Sequence, residues 1–310
     1  MTRDVKREGF PAVTVVVPTH SRPVEMTAAV QSALDQDYPG HVTVLIVFDG
    51  AEPFEPQLQI PENRDVRIQR NDHIRGLAGA RNSGIDATTT GLIAFLDDDD
   101  LWLPKKLSLQ VALLEQHPEV VLVSSGITMV TPEGDVDRPL TAPVTFRQLL
   151  RDRVPELHSS SFLLRTEVLQ GDFGGIDEAL PGSYAEDYDL VLRAAQIAPV
   201  PGVPEPLVRI TFAGGSLFGA KWQMISDALQ HLLDKYPEFQ DEPKGYARIG
   251  GQIAFANAAL GHRREAFRWI GSTLRHNPVE PRAALAAAVA TRAVSADRVM
   301  QELQDRGRGL

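Results

Sequence analysis

The chain contains no cysteine, and this absence removes several kinds of chemistry at once. Without thiols the protein can form no disulfide framework, no thiolate site for zinc or iron–sulfur clusters, and no cysteine nucleophile. No apolar run approaches the ~20 residues needed to cross a bilayer. The first such run, Val13–Val17, is too short for a signal peptide. We therefore expect the mature chain to begin near Met1 and the protein to be soluble, cytoplasmic and without a membrane span.

Positive charge is also in short supply. The chain has 31 Lys and Arg residues against 41 Asp and Glu residues, for a formal net charge of -10. A protein that binds nucleic acid needs a positive face to displace counterions, so this balance argues against nucleic acid as a partner. Apolar material is plentiful: 43% of the 310 residues are hydrophobic, which predicts a folded protein with a large core. The length suggests two domains, at about 150 residues per domain.

Short, almost wholly apolar runs alternate with helical patterns before Gly215. This alternation predicts strands buried on both faces of a largely parallel sheet, joined by helices. Only helical patterns follow, so we predict an α/β domain over residues 1–215 and a helical region over residues 216–310. The segment Pro199–Pro206 is interpreted as the end of a helix. The predicted strands are Val13–Val17, Val42–Phe48, Val66–Gln69, Leu92–Leu96, Val120–Ser125 and Ser160–Leu164.

Four adjacent aspartates, Asp97–Asp100, directly follow one of the predicted strands. Ligands of an open α/β sheet bind beyond the carboxyl ends of its strands. Adjacent carboxylates repel one another, so their position at such an end favours a site for a cation. Hard oxygen ligands suit Mg²⁺ or Mn²⁺, particularly when the metal also binds phosphates of a substrate. The alternative is a solvated acidic turn; we favour the metal site because of its place at the sheet edge.

Other polar residues near element ends have more than one interpretation. Asp49 either faces a ligand or only closes an Asp-Gly turn. Ser183 and Glu186 fit a capping box, in which Glu186 would bind the backbone at the start of a helix. Spacing alone allows two roles for Asp187. It is either an acid that complements the dipole in the first turn of the helix or a general base that faces a cleft. Among the histidines, His158 is interpreted as a packed or surface residue, because no cluster of metal-ligand spacing is present.

Taken together, these segments resemble the inverting glycosyltransferases of family 2, which have the GT-A fold. The order and spacing of the motifs agree, which makes the match specific. The resemblance does not extend to the helical region at the end of the chain. The matching segments are Val13–Thr19, Val44–Gly50, Gly76–Gly84, Ile93–Trp102, Gly174–Glu178 and Glu186–Leu190.

The resemblance implies a Rossmann-like, nucleotide-sugar-binding GT-A domain and a role for each matching side chain. Asp187 would be the catalytic base, and Asp99 would be the direct metal ligand of the D-x-D motif. Arg81 would lie near the diphosphate and Asp97 near the ribose. The residues implied to bind the nucleotide are Thr19, Asp49, Arg81, Asp97 and Asp98, and those implied at the sugar or acceptor are Asp100, Trp102 and Glu186.

The implied reaction transfers one sugar from a nucleoside-diphosphate sugar, with UDP or dTDP as the nucleotide, to an acceptor hydroxyl. The resemblance also implies Mn²⁺ or Mg²⁺ as cofactor, and the absence of membrane helices favours single transfer over processive synthesis. Two positions depart from the family pattern: Phe48 stands where an aspartate is usual, and Thr211 stands where many members have histidine. A homo-oligomer formed through the carboxyl-terminal helices is a further hypothesis.

Two other functions fit parts of the sequence. Phosphatases with an Asp-x-Asp nucleophile also place that motif after an apolar strand, but they normally have Thr or Val at the position of Leu101 and carry the motif near the start of the domain. A protein that binds a nucleotide sugar without turnover is the second alternative. The presence of Asp187 argues against it.

Overall fold

The computed structural model describes residues 9–131, 133–211 and 221–304. A strand forms at each of the six predicted apolar runs, and every residue of the first two strands is buried, as expected for strands covered on both faces. The strands are β1 (Val13–Thr19), β2 (Val42–Phe48), β3 (Arg64–Arg70), β4 (Leu92–Phe95), β5 (Leu101–Trp102), β6 (Leu122–Thr131), β7 (Gly134–Arg138), β8 (Leu163–Arg165) and β9 (Gly202–Thr211).

The helices alternate with the strands as far as β9, and only helices were found among the described residues after it. Proline stands in the first turn of α1, α8 and α10, where its missing N–H has no helical partner to lose. The helices are α1 (Pro23–Leu34), α2 (Leu77–Asp86), α3 (Lys106–Gln116), α4 (Phe146–Arg151), α5 (Thr166–Gln170), α6 (Glu186–Ile197), α7 (Trp222–Lys235), α8 (Pro243–Ala259), α9 (Arg263–His276), α10 (Pro281–Ala290) and α11 (Ala296–Gln304).

The strands form one mixed sheet in the order β3-β2-β1-β4-β8-β6-β9-β5, with β7 paired to β6. The first four strands of this order run parallel to one another, while β8 is antiparallel to both of its neighbours. The carboxyl ends of β1, β2 and β4 therefore meet at one edge of the sheet. This is the edge at which an open α/β sheet binds its ligands.

One strand appears where the sequence predicted only the end of a helix. β9 contains Pro204 and Pro206, and proline cannot donate a hydrogen bond to a neighbouring strand. The structure accommodates both by shifting the register of β9 against β6 on either side of Gly126. A Cβ at Gly126 would lie 2.7 Å from the carbonyl oxygen of Pro204, so the close approach requires glycine.

Contacts divide the chain into two compact units. The predicted boundary near Gly215 lies outside the described residues. Two short segments that precede α6 in the chain belong to the second unit, so each unit is assembled from separate stretches of sequence. The first unit lies within Met1–Thr145, Val154–Glu178 and Glu186–Ala213, and the second lies within Phe146–Arg153, Ala179–Ala185 and Gly214–Leu310.

Each unit has its own core. In the first, valines and an isoleucine of β1 and β2, together with Leu92 and Ala94 of β4, pack with apolar residues of α1 and α3. In the second, small residues of α8, α9 and α10 surround Phe255 and Ile270, and the ring of Trp222 meets that of Phe255 edge to face at 5.4 Å. Within the described residues, no helix has the length and hydropathy needed to span a membrane.

The packing of α2 on β1 depends on Gly84. A Cβ at this position would overlap both methyl groups of Val16, which lies in the middle of β1. We therefore expect Gly84→Ala to lower the free energy of unfolding by about 1–3 kcal/mol, because the overpacked helix must move away from the sheet. Gly91→Ala is the control, since nothing lies within 4 Å of a Cβ there. Urea denaturation followed by circular dichroism would test this; equal stabilities of the two variants would contradict it.

Candidate active site

The carboxyl ends of three parallel strands bring the predicted site residues together. Asp49 follows β2, and its backbone N–H donates to the carbonyl of Thr19, the last residue of β1, at 2.8 Å. The hydroxyl of Thr19 donates to Oδ2 of Asp98 at 2.7 Å. Leu96, which precedes the aspartates, donates its N–H to the carbonyl of Val16 at 3.0 Å. The structure thus places Thr19, Asp49 and the acidic run beside one another, as the strand order requires.

Two arginines compensate the charge of the acidic run. Arg22, just before α1, donates to Oδ1 of Asp98 at 3.1 Å and also binds Oδ2 of Asp99. Arg81, in α2, binds Oδ1 of Asp97. Sequence reasoning did not single out Arg22, although a cation three residues after the end of β1 would be expected to lie at the same edge.

The ionisation of the run is uneven. Burial raises the pKa of Asp98 to about 6 and that of Asp100 to about 7, although Thr19 and Arg22 favour the charged form of the first and His158 that of the second. Burial is the largest single effect on Asp97 and opposes its ionisation, but the charges of Arg81 and His158, together with the hydrogen bonds from Ser159 and Arg81, lower the pKa of that carboxyl. Negative charge is thus held at Asp97 and disfavoured at its neighbours, and a divalent cation would relieve this penalty.

A turn of three serines, which lies just before β8, donates hydrogen bonds to the acidic run. The hydroxyl of Ser159 donates to Oδ2 of Asp97 at 3.0 Å, and that of Ser160 donates to Oδ2 of Asp100 at 2.6 Å. The N–H of Asp97 in turn donates to Oγ of Ser160 at 3.0 Å. The sequence predicted a strand from Ser160, but residues Ser159–Ser161 form a single 3-10 turn and β8 begins only at Leu163. Three consecutive serines beside an acidic run were the available signal.

The same turn brings a histidine to the aspartates. Asp97, Asp100 and His158 each offer one ligand atom, and these atoms all lie within 4.8 Å of one another. Two carboxylates and an imidazole suit a divalent cation such as Mn²⁺, so the residues present fit the metal that the resemblance implies. The sequence interpretation of His158 as a packing or surface residue overlooked this arrangement, because its distance in sequence from the aspartates conceals it.

Asp99 has a different environment. Its side chain is 36% exposed and bound to Arg22, whereas Asp100 is only 2% exposed. Both oxygens of Asp100 have partners, since Ser160 binds one and the N–H of Thr211 donates to the other at 3.3 Å. The hydroxyl of Thr211 also donates to the carbonyl of Asp99 at 2.9 Å, so the end of β9 contacts the acidic run directly. Asp99 is therefore the more accessible carboxylate of the two.

The start of α6 joins this site through Arg81. One terminal nitrogen of its guanidinium binds Asp97, and the other terminal nitrogen binds Oε1 of Glu186, the first residue of α6. Glu186 therefore does not cap the helix as the sequence suggested, and its Oε2 has no hydrogen-bond partner among the described residues. Asp187 is the next residue. Its side chain is partly exposed, and its Oδ1 accepts from the N–H of Tyr188 at 2.8 Å.

Trp102 lies beneath the acidic run. It is buried, and its indole N–H donates to the carbonyl of Ser160 at 2.7 Å. The ammonium of Lys106 lies 3.8 Å from the centre of its ring and donates to Gln110 at 2.7 Å. Burial holds the pKa of Lys106 well below its usual value. Of the two sequence interpretations, core residue or wall of the cleft, the structure shows the first, and the indole supports the serine turn.

Asp49 forms the other side of the site. It is partly exposed, and its Oδ1 accepts from Nδ2 of Asn71 at 2.9 Å. The imidazole Nδ1 of His20 lies 2.5 Å from its carbonyl oxygen. Phe48, which replaces the usual aspartate, is buried and meets Phe54 edge to face at 5.4 Å. Only one carboxylate is therefore available at the end of β2.

Known proteins resemble this chain in sequence. The sequence profile of "Glycosyl transferase family 2" matches residues 14–171, just over half of the chain. The amylovoran biosynthesis glycosyltransferase AmsE of Erwinia amylovora is 29% identical over 60% of this chain and 71% of its own length. The glucosyltransferase WfgD of Escherichia coli, named as a UDP-Glc:alpha-D-GlcNAc-diphosphoundecaprenol beta-1,3-glucosyltransferase, is 31% identical over 45% of this chain and 55% of its own.

Solved structures confirm the predicted fold class, a GT-A domain followed by a helical region. The S. aureus TarS fragment 1-349 in complex with UDP-GlcNAc superimposes with a TM-score of 0.61 at 15% identity, over 96% of this chain and 92% of that one. The Pyrobaculum calidifontis mannosyltransferase PcManGT, in complex with GDP-Man and Mn²⁺, gives a TM-score of 0.52 at 18% identity, over 92% of this chain and 81% of that one.

A histidine beside the site provides a test by pH. His73 binds Asp86 at 3.0 Å and Glu178 at 2.8 Å, and these partners, Asp86 first, raise its pKa despite partial burial. A raised imidazole pKa stabilises the fold fully below the unfolded pKa of about 6.5. This stabilisation is lost as the pH rises through the folded pKa. We therefore expect the free energy of unfolding to fall as the pH rises from the unfolded pKa through the folded pKa of His73. The fall should be smaller in His73→Gln.

Urea denaturation between pH 5.5 and pH 8.5 would measure how the free energy of unfolding changes with pH in the two proteins. This interval extends about one unit below and two units above the unfolded pKa of histidine. His117→Gln is the control, because the imidazole of His117 is more exposed and is bonded only to the nearby Glu119 among the described residues. It should keep the slope of the wild type. Identical slopes for all three proteins would show that the ion pairs of His73 do not contribute.

Proposed function

Because the chain belongs to glycosyl transferase family 2, we propose that it transfers a single sugar from a nucleoside-diphosphate sugar to an acceptor hydroxyl, with inversion at the anomeric carbon. The observation that carries the proposal is the joining of the acidic run to the start of α6: Arg81 binds both Asp97 and Glu186, so the aspartates and Asp187 belong to one site. An inverting transfer needs these two groups close together, one toward the leaving diphosphate and one toward the acceptor.

The donor is a UDP-sugar in this proposal, with a dTDP-sugar as the second choice. The name of WfgD specifies UDP-Glc, and TarS was solved with UDP-GlcNAc, which supports uridine in this family and fold. Asp49, partly exposed beside β1, would accept a hydrogen bond from the base, and Thr19 and Asp98 would line the same pocket. The single carboxylate after β2 leaves one strong acceptor for the base ring.

Asp99, together with the diphosphate of the donor, would hold the divalent cation. Its accessibility supports this assignment, since Asp100 is buried and Asp97 is bound to Arg81 and Ser159. When bound, the cation would offset the charge that develops on the departing nucleoside diphosphate. Arg22 would have to release the Oδ2 that it binds, and it would then carry positive charge beside the diphosphate.

Asp187 would act as the base. Its carboxylate accepts the proton of the acceptor hydroxyl while that oxygen attacks the anomeric carbon, and the bond from that carbon to the diphosphate oxygen breaks on the opposite face. The position of Asp187 in the first turn of α6 suits a base that must carry negative charge, because the helix dipole favours such charge there. A phosphatase mechanism through Asp97 is less well supported, because Arg81 and Ser159 already engage both of its oxygens.

The assignment of the base predicts the behaviour of Asp187→Asn. We expect the turnover of donor and acceptor to fall by about 10³-fold, because the amide cannot accept the proton, while the dissociation constant for UDP in Mn²⁺ changes little. Turnover is measured by release of UDP from UDP-sugars, and binding by calorimetry. Asp172→Asn, at an exposed position, is the control. Full activity in Asp187→Asn would exclude this residue as the base, and UDP binding without turnover in the wild type would favour a non-catalytic binding protein.

The metal assignment is tested by comparing Asp99→Asn with His158→Ala. In the presence of UDP we expect Asp99→Asn to weaken Mn²⁺ binding by about tenfold or more, since it removes a direct ligand, and His158→Ala to weaken it less. Electron paramagnetic resonance of free Mn²⁺ gives both affinities. A larger loss in His158→Ala would instead assign the cation to Asp97, Asp100 and His158.

A further inference from the structure

Arg81 is a fully enclosed cationic side chain of the site. It lies in α2 and is only 1% exposed. Among the described residues it is the largest side chain that is fully buried. Its guanidinium joins three elements that are distant in sequence: α2 itself, the acidic run after β4, through Asp97, and the start of α6, through Glu186. The ring of Phe95 lies 5.5 Å from its central carbon. An arginine enclosed in this way has no free face for a substrate.

Burial of this group is tolerated only because it is paired twice. An isolated buried guanidinium would be strongly unfavourable, and so would either carboxylate without it. The planar fork of arginine presents its two terminal nitrogens at fixed positions, so a pair of carboxylates bound to both is held at a fixed separation. An ammonium is a single point of charge and cannot set this separation in the same way.

We infer that Arg81 is a positioning residue that sets the distance between the acidic run and the base. Glu186 immediately precedes Asp187, so the bond from Arg81 to Glu186 fixes the first turn of α6 relative to Asp97. This inference rests on the proposed function and departs from the role near the diphosphate that the family resemblance implies for Arg81. It also gives Glu186 a role that needs no contact with sugar or acceptor.

The kinetic test uses Arg81→Lys, Glu186→Gln and the double variant. If the link positions Asp187, each single variant should lower kcat by about 100-fold, the loss expected for a misplacement of about 1 Å. The dissociation constant for UDP should remain within about threefold of the wild type, and the double variant should lose little more than the worse single variant. An increase in that constant with kcat unchanged would instead place Arg81 at the diphosphate and overturn the inference.

Arg64→Lys is the matched control. Arg64 lies at the amino end of β3, the end away from the site. It donates five hydrogen bonds to backbone carbonyls, including those of Leu34 and Tyr38. Its replacement should reduce stability without the change in kcat. Equal losses of kcat in Arg64→Lys and Arg81→Lys would mean that Arg81 acts only on stability.

Hydrogen exchange separates this inference from the proposed function. In Arg81→Lys the backbone amides at the start of α6, Tyr188–Leu190, should exchange at least about tenfold faster than in the wild type, while Arg64→Lys leaves them unchanged. This result does not require turnover, so it stands even if the wild type transfers no sugar. Unchanged exchange at these amides would overturn the positioning role whatever the kinetics show.

Discussion

The compensation of four adjacent carboxylates is the constraint on which the site depends. Asp97–Asp100 stand at the end of a buried strand, where their mutual repulsion and burial both disfavour charge. Arg22 binds the middle pair, Arg81 binds the first, and the serine turn of β8 donates to the first and last. These partners come from three separate segments of the chain, so satisfying the acidic run also assembles the site.

The sheet topology makes this assembly possible. Parallel pairing of β1, β2 and β4 brings Thr19, Asp49 and the acidic run to one edge, and the antiparallel β8 brings the serine turn to the same place. α2 and α6 then approach each other through Arg81. The chemistry proposed for family 2 requires a metal-binding group and a base at a set distance, and the buried ion pairs of Arg81 supply the most direct connection between them.

Much of the fold could be predicted from local patterns. The strands with continuous apolar runs, such as β1 and β2, agree with prediction to within two residues, and the elements described after β9 are helices, as the helical patterns predict. β9 was missed because its prolines fit a strand only with the register shift opposite Gly126, which is a tertiary property. The same applies to the site: the acidic run was visible in the sequence, but its partners Arg22, His158 and Ser159 were not, because their contacts depend on strand order. The resemblance to family 2 identified the family and the fold class, and the side-chain roles that it implies are still predictions.

In the proposed reaction the acidic run binds a nucleoside diphosphate through a divalent cation, and calorimetric titration of UDP into the wild-type protein tests this binding most directly. We expect UDP to bind at least about tenfold more tightly in Mn²⁺ than in EDTA, a difference of about 1.4 kcal/mol or more. Equal affinity in the two conditions, or no binding in either, would contradict it.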